Sequence, residues 1–316
     1  MDDIIAKGNA RKSVTKTEPG KCWYIPHHGV YHPNKPGKIR VVFDLSAEYK
    51  GTSLNKELLP GPDLTNQIIG VLLRFREEKV GVMGDIEAMF HQVKVPDHHC
   101  SFLKFLWWEN SDTTKEVIEY EMTAHVFGGS SSPSCSNFAL RKTAKDNEEI
   151  YGKNVTRILE RNFYVDDMLK SFSTAEEAII VIQKVKELCS NGGFNLTKFI
   201  SNDEVVLSSI PDLNRRVNVR NEELVIGCLP EDNALGVKWN TDKDTLGFTI
   251  CFADKPSTRR GLLSTLCSVY DPLGLGAPFL LKGRQIVQHL CQSNLKWDDK
   301  IDEISAHEWL KWKMTY

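Results

Sequence analysis

The run Val80-Gly81-Val82-Met83-Gly84-Asp85 is small and apolar until it ends on a carboxylate, which predicts a strand. A second strand is predicted at His91-Gln92-Val93-Lys94-Val95, where polar and apolar positions alternate so that one face covers a core. The clearest helical period runs from Thr174 to Cys189. Thr174 and Glu177 form a capping box there, and Ala178, Ile182, Val185 and Cys189 make one apolar stripe that stops at Gly192-Gly193. Further helices are predicted over residues 62–78, with Ile68, Ile69, Val71, Leu72, Leu73 and Phe75 as apolar positions, and over residues 134–150. Asn162 to Val165 and Met168 to Phe172 flank Asp166-Asp167 as the two arms of a hairpin.

Upstream, Trp23-Tyr24-Ile25, Gly29-Val30-Tyr31 and Ile39 to Phe43 read as strands, with a turn at Asn34-Lys35-Pro36-Gly37. Lys35, Lys38 and Arg40 crowd that hairpin. Downstream, Leu235 to Trp239 and Leu246 to Ile250 are strand-like and precede a helical C-terminal region. Residues 1–20 are polar and predict a loose lead-in.

A chain of 316 residues can bury a core shared by two or three subdomains. Its net charge of −2 neither supports nor excludes a nucleic-acid partner, because clustered acids can mask a basic face in the total. The eight cysteines are scattered without a Cys-x-x-Cys pair, which argues against a zinc ribbon and for reduced thiols in an intracellular protein. Met1-Asp2-Asp3-Ile4-Ile5 is not a secretory signal, and the apolar stretch 261–282 is broken by Asp271, two prolines and glycines, so no membrane partner is expected. Asp97-His98-His99-Cys100 spells the palmitoyltransferase tetrapeptide without the flanking zinc sites and membrane spans of those enzymes. Adjacent histidines at 27–28 and 98–99 also lack metal-ligand spacing. Trp107, Trp108, Trp309 and Trp312 are expected in a core or on a helix face rather than as base-stacking platforms.

The costly feature is Asp166-Asp167 at an apolar hairpin turn. Adjacent carboxylates raise each other's pKa, where a structural turn would favour Asn-Gly or Asp-Gly. An Asp-Asp turn alone is commonly structural. A divalent cation would remove the cost, since hard oxygen ligands suit Mg²⁺. If the strand ending at Asp85 neighbours this hairpin, three carboxylates meet at one rim, where two metal ions could serve an in-line phosphoryl transfer.

Several motifs then resemble those of reverse transcriptases, in the family's order. They are Asp85-Ile86-Glu87-Ala88-Met89-Phe90, Phe127-Gly128 with Ser131-Ser132-Pro133, Tyr164-Val165-Asp166-Asp167, Gly192 to Lys198, and Leu235-Gly236-Val237-Lys238-Trp239. Tyr24-Ile25-Pro26-His27-His28, Arg40 to Asp44, Ser53-Leu54-Asn55, Arg74-Phe75-Arg76 and Tyr270 to Gly274 narrow the resemblance to the BEL/Pao class of long-terminal-repeat retrotransposons.

That resemblance implies an α+β fold with right-hand polymerase architecture: fingers, an antiparallel palm sheet and a thumb. Residues 1–20 would be lead-in, 21–200 fingers and palm, 201–255 the primer-grip hairpin and start of the thumb, and 256–316 a truncated thumb- or connection-like helical region. It implies an RNA-directed DNA polymerase that takes dNTPs onto a DNA primer over an RNA template. Two Mg²⁺ ions, replaceable by Mn²⁺, would be held by Asp85, Asp166, Asp167 and the Ile86 carbonyl. Phe90 would be the sugar gate, Lys38 and Arg40 would grip the triphosphate, Phe127 and Gly128 would pack on the nucleotide, and Lys198 would protonate pyrophosphate. Tyr164, Gly236, Lys238 and Trp239 would meet primer and template. Phe127 departs from the glutamine of retroviral relatives, which replaces a polar contact by stacking. An intact element would place the enzyme in a cytoplasmic virus-like particle. Two alternatives remain: a catalytically silent or domesticated fragment that binds nucleic acid or a partner, and an RNA-templated RNA polymerase, which Tyr164 to Asp167 and Phe90 disfavour.

Overall fold

In the computed structural model, which describes residues 1–14, 20–32, 35–216, 232–247, 255–293 and 295–315, the chain divides into two units, Met1–Arg216 and Val217–Tyr316. Of residues 32, 35–38 and 232–234 only the backbone is described. The strands of the first unit are β1 (Ala10–Lys12), β2 (His27–His32), β3 (Lys35–Phe43), β4 (Val80–Ile86), β5 (Lys104–Trp108), β6 (Val117–Met122), β7 (Phe163–Tyr164), β8 (Asp167–Phe172) and β9 (Leu196–Ser201). Those of the second are β10 (Asp232–Ala234), β11 (Val237–Asn240) and β12 (Thr245–Gly247).

β4 lies inside a four-stranded sheet ordered β7-β8-β4-β9, antiparallel throughout. Its apolar run suits that place, because every residue except Asp85 is buried. Val80, Val82 and Ile86 share a core with helices Ser132–Asp146, Lys153–Arg161 and Ala175–Asn191, which contribute Leu140, Leu159, Ile182 and Leu188 among others. Each such fully buried aliphatic side chain contributes about 1.5–3 kcal/mol.

The capping box of Ala175–Asn191 is present. Thr174 Oγ1 accepts from the Glu177 amide at 3.2 Å, while the Glu177 carboxylate reaches back to the Ser173 amide rather than to that of Thr174. Ala178, Ile182, Val185 and Cys189 are buried, as their spacing predicts.

Several predicted elements differ, and two of the differences bear on the site. The helix expected over 62–78 spans only Ile68–Phe75. Asp63 accepts from the Thr65 amide in a local turn, and Asn66 Nδ2 donates to the Glu160 and Phe163 carbonyls, which holds the chain extended before the helix. The strand expected at 91–95 begins instead in a one-turn helix, Met89–Gln92, with Met89 buried, and only 93–95 run extended beside 123–125. Met89 wins a core position there, and alternation alone could not show it.

The loose lead-in is also corrected. Residues Asp2–Ala6 are helical and β1 pairs with β6 in a sheet ordered β1-β6-β5, with Ala10 buried and Ile4 and Ile5 packed on the same core. Polar composition hid this, because few apolar contacts anchor the segment. Residues 201–216 likewise belong to the first unit, where Val206 and Ile210 enter its core. β2 and β3 form the predicted hairpin; Asn34 and the Lys35 and Lys38 side chains lie outside the described residues.

In the second unit β10, β11 and β12 pair antiparallel, and helices Arg259–Cys267, Ala277–Gln292 and Glu303–Lys313 enclose Leu262, Leu280, Ile286, Leu290, Trp309 and Trp312. Both tryptophans are core residues. Phe248 to Ile250 lie outside the described residues. No described helix is long and apolar enough to cross a membrane.

Candidate functional site

Asp85 and Asp167 stand directly opposite each other in the β4–β8 pairing. Asp166 fills the two-residue turn with Val165, and the Ile86 amide donates to the Asp166 carbonyl at 2.9 Å, fastening the end of β4 to that turn. Val165 adopts φ 56°, a left-handed conformation that a β-branched residue takes only under constraint. A two-residue hairpin turn demands it, so the carboxylate pair sits on a strained, sharply defined turn.

On the other side of β4, the pairing with β9 slips between Met83↔Ile200 and Asp85↔Thr197. This bulge puts Lys198 at φ 55°, and its Nζ donates to Asp85 Oδ1 at 2.6 Å. Bulges re-aim side chains in this manner. Lys198, predicted at the nucleotide, therefore meets the carboxylates.

Burial raises the Asp166 carboxyl above the usual range; the Asp85 charge adds to this and Lys198 opposes it. Asp167 is pushed up to about 7, by burial first and then by the charges of Asp166 and Asp85, with Arg216 and Lys198 acting the other way. Both shifts express first the cost of burying carboxylates at this rim, with their mutual negative charge adding to it. A hard divalent cation would neutralise that charge, so the donor set fits Mg²⁺ or Mn²⁺ in chemistry. Among the described residues, no three Asp, Glu, His or Cys side chains yet converge closely enough to hold an ion. The Asp85 carboxylate is turned to Lys198 instead.

A second cluster gathers the residues expected to face a nucleotide. The Phe90 and Phe127 rings lie 4.7 Å apart, His91 meets Phe127 edge-on at 5.6 Å, and the Arg40 guanidinium lies over Phe127 at 4.9 Å. Gly128 has φ 92°, and an added Cβ would lie 3.3 Å from the Phe43 carbonyl oxygen. A side chain there would be strained and crowded.

Positioning residues to which the sequence assigned no role surround both clusters. Asn55 donates from Nδ2 to the Gly128 carbonyl at 2.9 Å and to Ser46 Oγ at 3.0 Å, and its Oδ1 accepts from the Ser130 amide at 2.9 Å. One side chain thus fixes the glycine loop. Glu87 accepts from Asn195 Nδ2 and Lys7 Nζ, each at 2.9 Å, and its amide donates to the Asn195 carbonyl. Those two hydrogen bonds, Lys7 first, hold the Glu87 carboxyl below its ordinary range. Asn55 and Asn195 were visible as motif members, but their partners lie far away in sequence.

The second unit corrects one expectation. Trp239 is 1% exposed, and its Nε1 donates to Asp244 at 3.0 Å, so it anchors the β10–β12 sheet and does not offer a face to nucleic acid. Gly236, at φ 81°, packs against Tyr270, and Lys238 is half-buried. Tyr164 is half-buried and pairs with Asp167. Of the discounted histidines, His27 packs on Phe43, Phe105 and Trp107, while His98 and His99 are exposed on the single helical turn Asp97–Cys100.

Residues 258–316 match the family described as the Pao retrotransposon-like RNaseH-like domain. The described part of that match is three helices and an isolated bridge between Thr258 and Lys300. No curated protein matches the chain. Among solved structures, the chain is similar to the foamy viral protease-reverse transcriptase dRH in complex with double-stranded DNA, at 17% identity and TM-score 0.62 over 99% of this chain and 46% of that one. It is similar to the foamy viral protease-reverse transcriptase with an RNA/DNA hybrid (16% identity, TM-score 0.58, 99% and 35%) and with double-stranded DNA (18%, 0.60, 99% and 55%). The chain spans from about a third to just over half of those proteins. The fold, helices with antiparallel sheets, is similar to that of foamy viral reverse transcriptase, and from residue 258 onward the sequence is similar to a Pao retrotransposon domain.

Proposed function

We propose that the chain is the polymerase core of a retrotransposon reverse transcriptase, an RNA-directed DNA polymerase. The observation that carries this reading is the Asp85↔Asp167 register pair with Asp166 in the adjoining turn. In this reading β7-β8-β4-β9 and its helices are the palm, the β2–β3 hairpin and the β1-β6-β5 sheet are fingers, β10–β12 is the primer grip, and the C-terminal helices belong to a thumb or connection. The neighbours bound to double-stranded DNA and to an RNA/DNA hybrid support nucleic acid as the partner.

The reaction joins the primer 3′-oxygen to the α-phosphorus of a dNTP, breaks the bond to pyrophosphate and releases the 3′-hydroxyl proton. Bound Mg²⁺, or Mn²⁺ in its place, would supply Lewis acidity to the attacking and leaving oxygens. Asp85, Asp166 and Asp167, with the Ile86 carbonyl, would hold the ions. Phe90, braced by Phe127, closes the space a 2′-hydroxyl would need, so deoxyribose is preferred. Arg40, with Lys38, binds triphosphate oxygens through its planar fork. Gly128 lets backbone approach the base pair, and Lys198, released from Asp85, gives a proton to pyrophosphate. Tyr164, Gly236 and Lys238 face primer and template.

The test is extension of oligo(dT) on poly(rA) with dTTP and Mg²⁺. Wild type extends, and Asp166→Asn binds the primed template equally well without extending it. Equal extension by both proteins would overturn the reading. A second reading, nucleic-acid binding without catalysis, is favoured by the Asp85–Lys198 ion pair, and it predicts template binding with no extension by wild type.

A further inference from the structure

Arg74-Phe75-Arg76 stands out in the sequence, yet the polymerase reading gives Arg74 no task. Arg74 ends the helix Ile68–Phe75 and lines a cavity of about 370 Å³ together with Arg157, Arg161, Lys170, Glu77 and Glu177. Cations outnumber carboxylates there four to two. Among the described residues, none of the four cations has a carboxylate within ion-pair distance. Arg74 donates from Nη2 to the Arg161 carbonyl oxygen, and Lys170 Nζ lies 5.6 Å from the Phe172 ring centre. Glu177 is already engaged by the Ser173 amide.

Four unpaired cations drawn together are electrostatically costly, and the cost shows at Arg74. Burial, then the charge of Arg161, lowers its pKa. Its Nε is moreover a buried donor with no hydrogen-bond partner, a cost that a ligand's acceptor oxygen would remove. Arginine forks matched to several acceptor oxygens select phosphate over a single carboxylate. Lys170 lies three residues along β8 from Asp167 and on the other face of the strand, roughly 10 Å away, so the cavity is separate from the carboxylate cluster.

We propose that this cavity is a binding site for a phosphate-bearing ligand, either a free polyphosphate or the phosphates of a nucleic-acid strand. The inference stands apart from the polymerase reading.

The test uses the whole chain in EDTA, where the carboxylate cluster repels phosphate and no nucleotide is present. Tripolyphosphate binding is followed by calorimetry, and binding of a single-stranded oligoribonucleotide by fluorescence anisotropy. Arg157→Gln/Arg161→Gln, two exposed positions, should weaken one probe by at least ~10-fold. Arg157→Lys/Arg161→Lys should keep part of the affinity, and Lys142→Gln/Lys145→Gln, which removes the same charge elsewhere, should leave it unchanged. Loss confined to tripolyphosphate assigns a free polyphosphate, and loss confined to RNA assigns strand phosphates; either supports the site. If the double variant melts early, Lys170→Gln alone is read in the same way. Unaltered affinity for both probes, an equal loss in the Lys142/Lys145 control, or no binding of either probe by wild type would overturn the proposal. Primer extension is measured separately, so either reading can fail without the other.

Discussion

Lys198 Nζ sits 2.6 Å from Asp85 Oδ1, carried there by a β9 bulge that no sequence period reveals. It is a cation among carboxylates where burial, with the like charges of Asp166 and Asp85 adding to it, pushes Asp167 up to about 7.

That raised value fixes a sign. Asp167 binds a proton in the folded state at pH values where the unfolded carboxyl, near 3.8, has lost it. Its contribution to stability therefore declines as pH rises from about 4 to about 7. Without divalent ions, Asp167→Asn should be more stable than wild type at pH 7.5, by on the order of 2–4 kcal/mol, and the advantage should fade towards pH 4. Chemical denaturation across that range in EDTA measures it. A constant difference would mean that the carboxyl titrates normally.

Phe90→Ala removes the ring packed on Phe127. The ratio of rNTP to dNTP incorporation, as kcat/KM, should rise at least ~10-fold, the scale on which one steric contact discriminates. An unchanged ratio would show that sugar choice lies elsewhere.

Asn55→Ala strips partners from the Gly128 carbonyl and the Ser130 amide. A cost of about 1–3 kcal/mol in stability is expected. Because the loop itself is loosened, KM for dNTP should rise more than kcat falls. Steady-state kinetics beside a melting curve separates this from general unfolding.

Gly192 closes the helix Ala175–Asn191 against Thr143, where an added Cβ would lie 2.1 Å from Oγ1. Gly192→Ala should destabilise the first unit by about 1–3 kcal/mol through overpacking. Denaturant midpoints for Gly192→Ala and for Gly192→Ala/Thr143→Ala test the cause, since the double variant should recover much of the loss.

What the sequence made legible was local. β4 and the helix after Thr174 announced themselves by period and cap, and the Asp166 turn by its flanking apolar arms. Registers were not legible: that Asp85 would oppose Asp167 rather than a neighbour one place along depends on long-range pairing that a two-residue period cannot specify. β5 and β6 were missed because Lys104, Glu119 and Glu121 break their apolar pattern, and the burial of Lys104 and Glu121 is made tolerable by ion pairs such as Lys104–Glu119 and Arg11–Glu121. Trp239 looked like a contact residue by resemblance, and burial decided otherwise.

Manganese binding, followed by electron paramagnetic resonance with primed template present, addresses the shared-cation claim most directly. Wild type should immobilise Mn²⁺, and Asp85→Asn/Asp166→Asn should lose that signal while still holding the template. Equal Mn²⁺ uptake by both proteins would contradict the account.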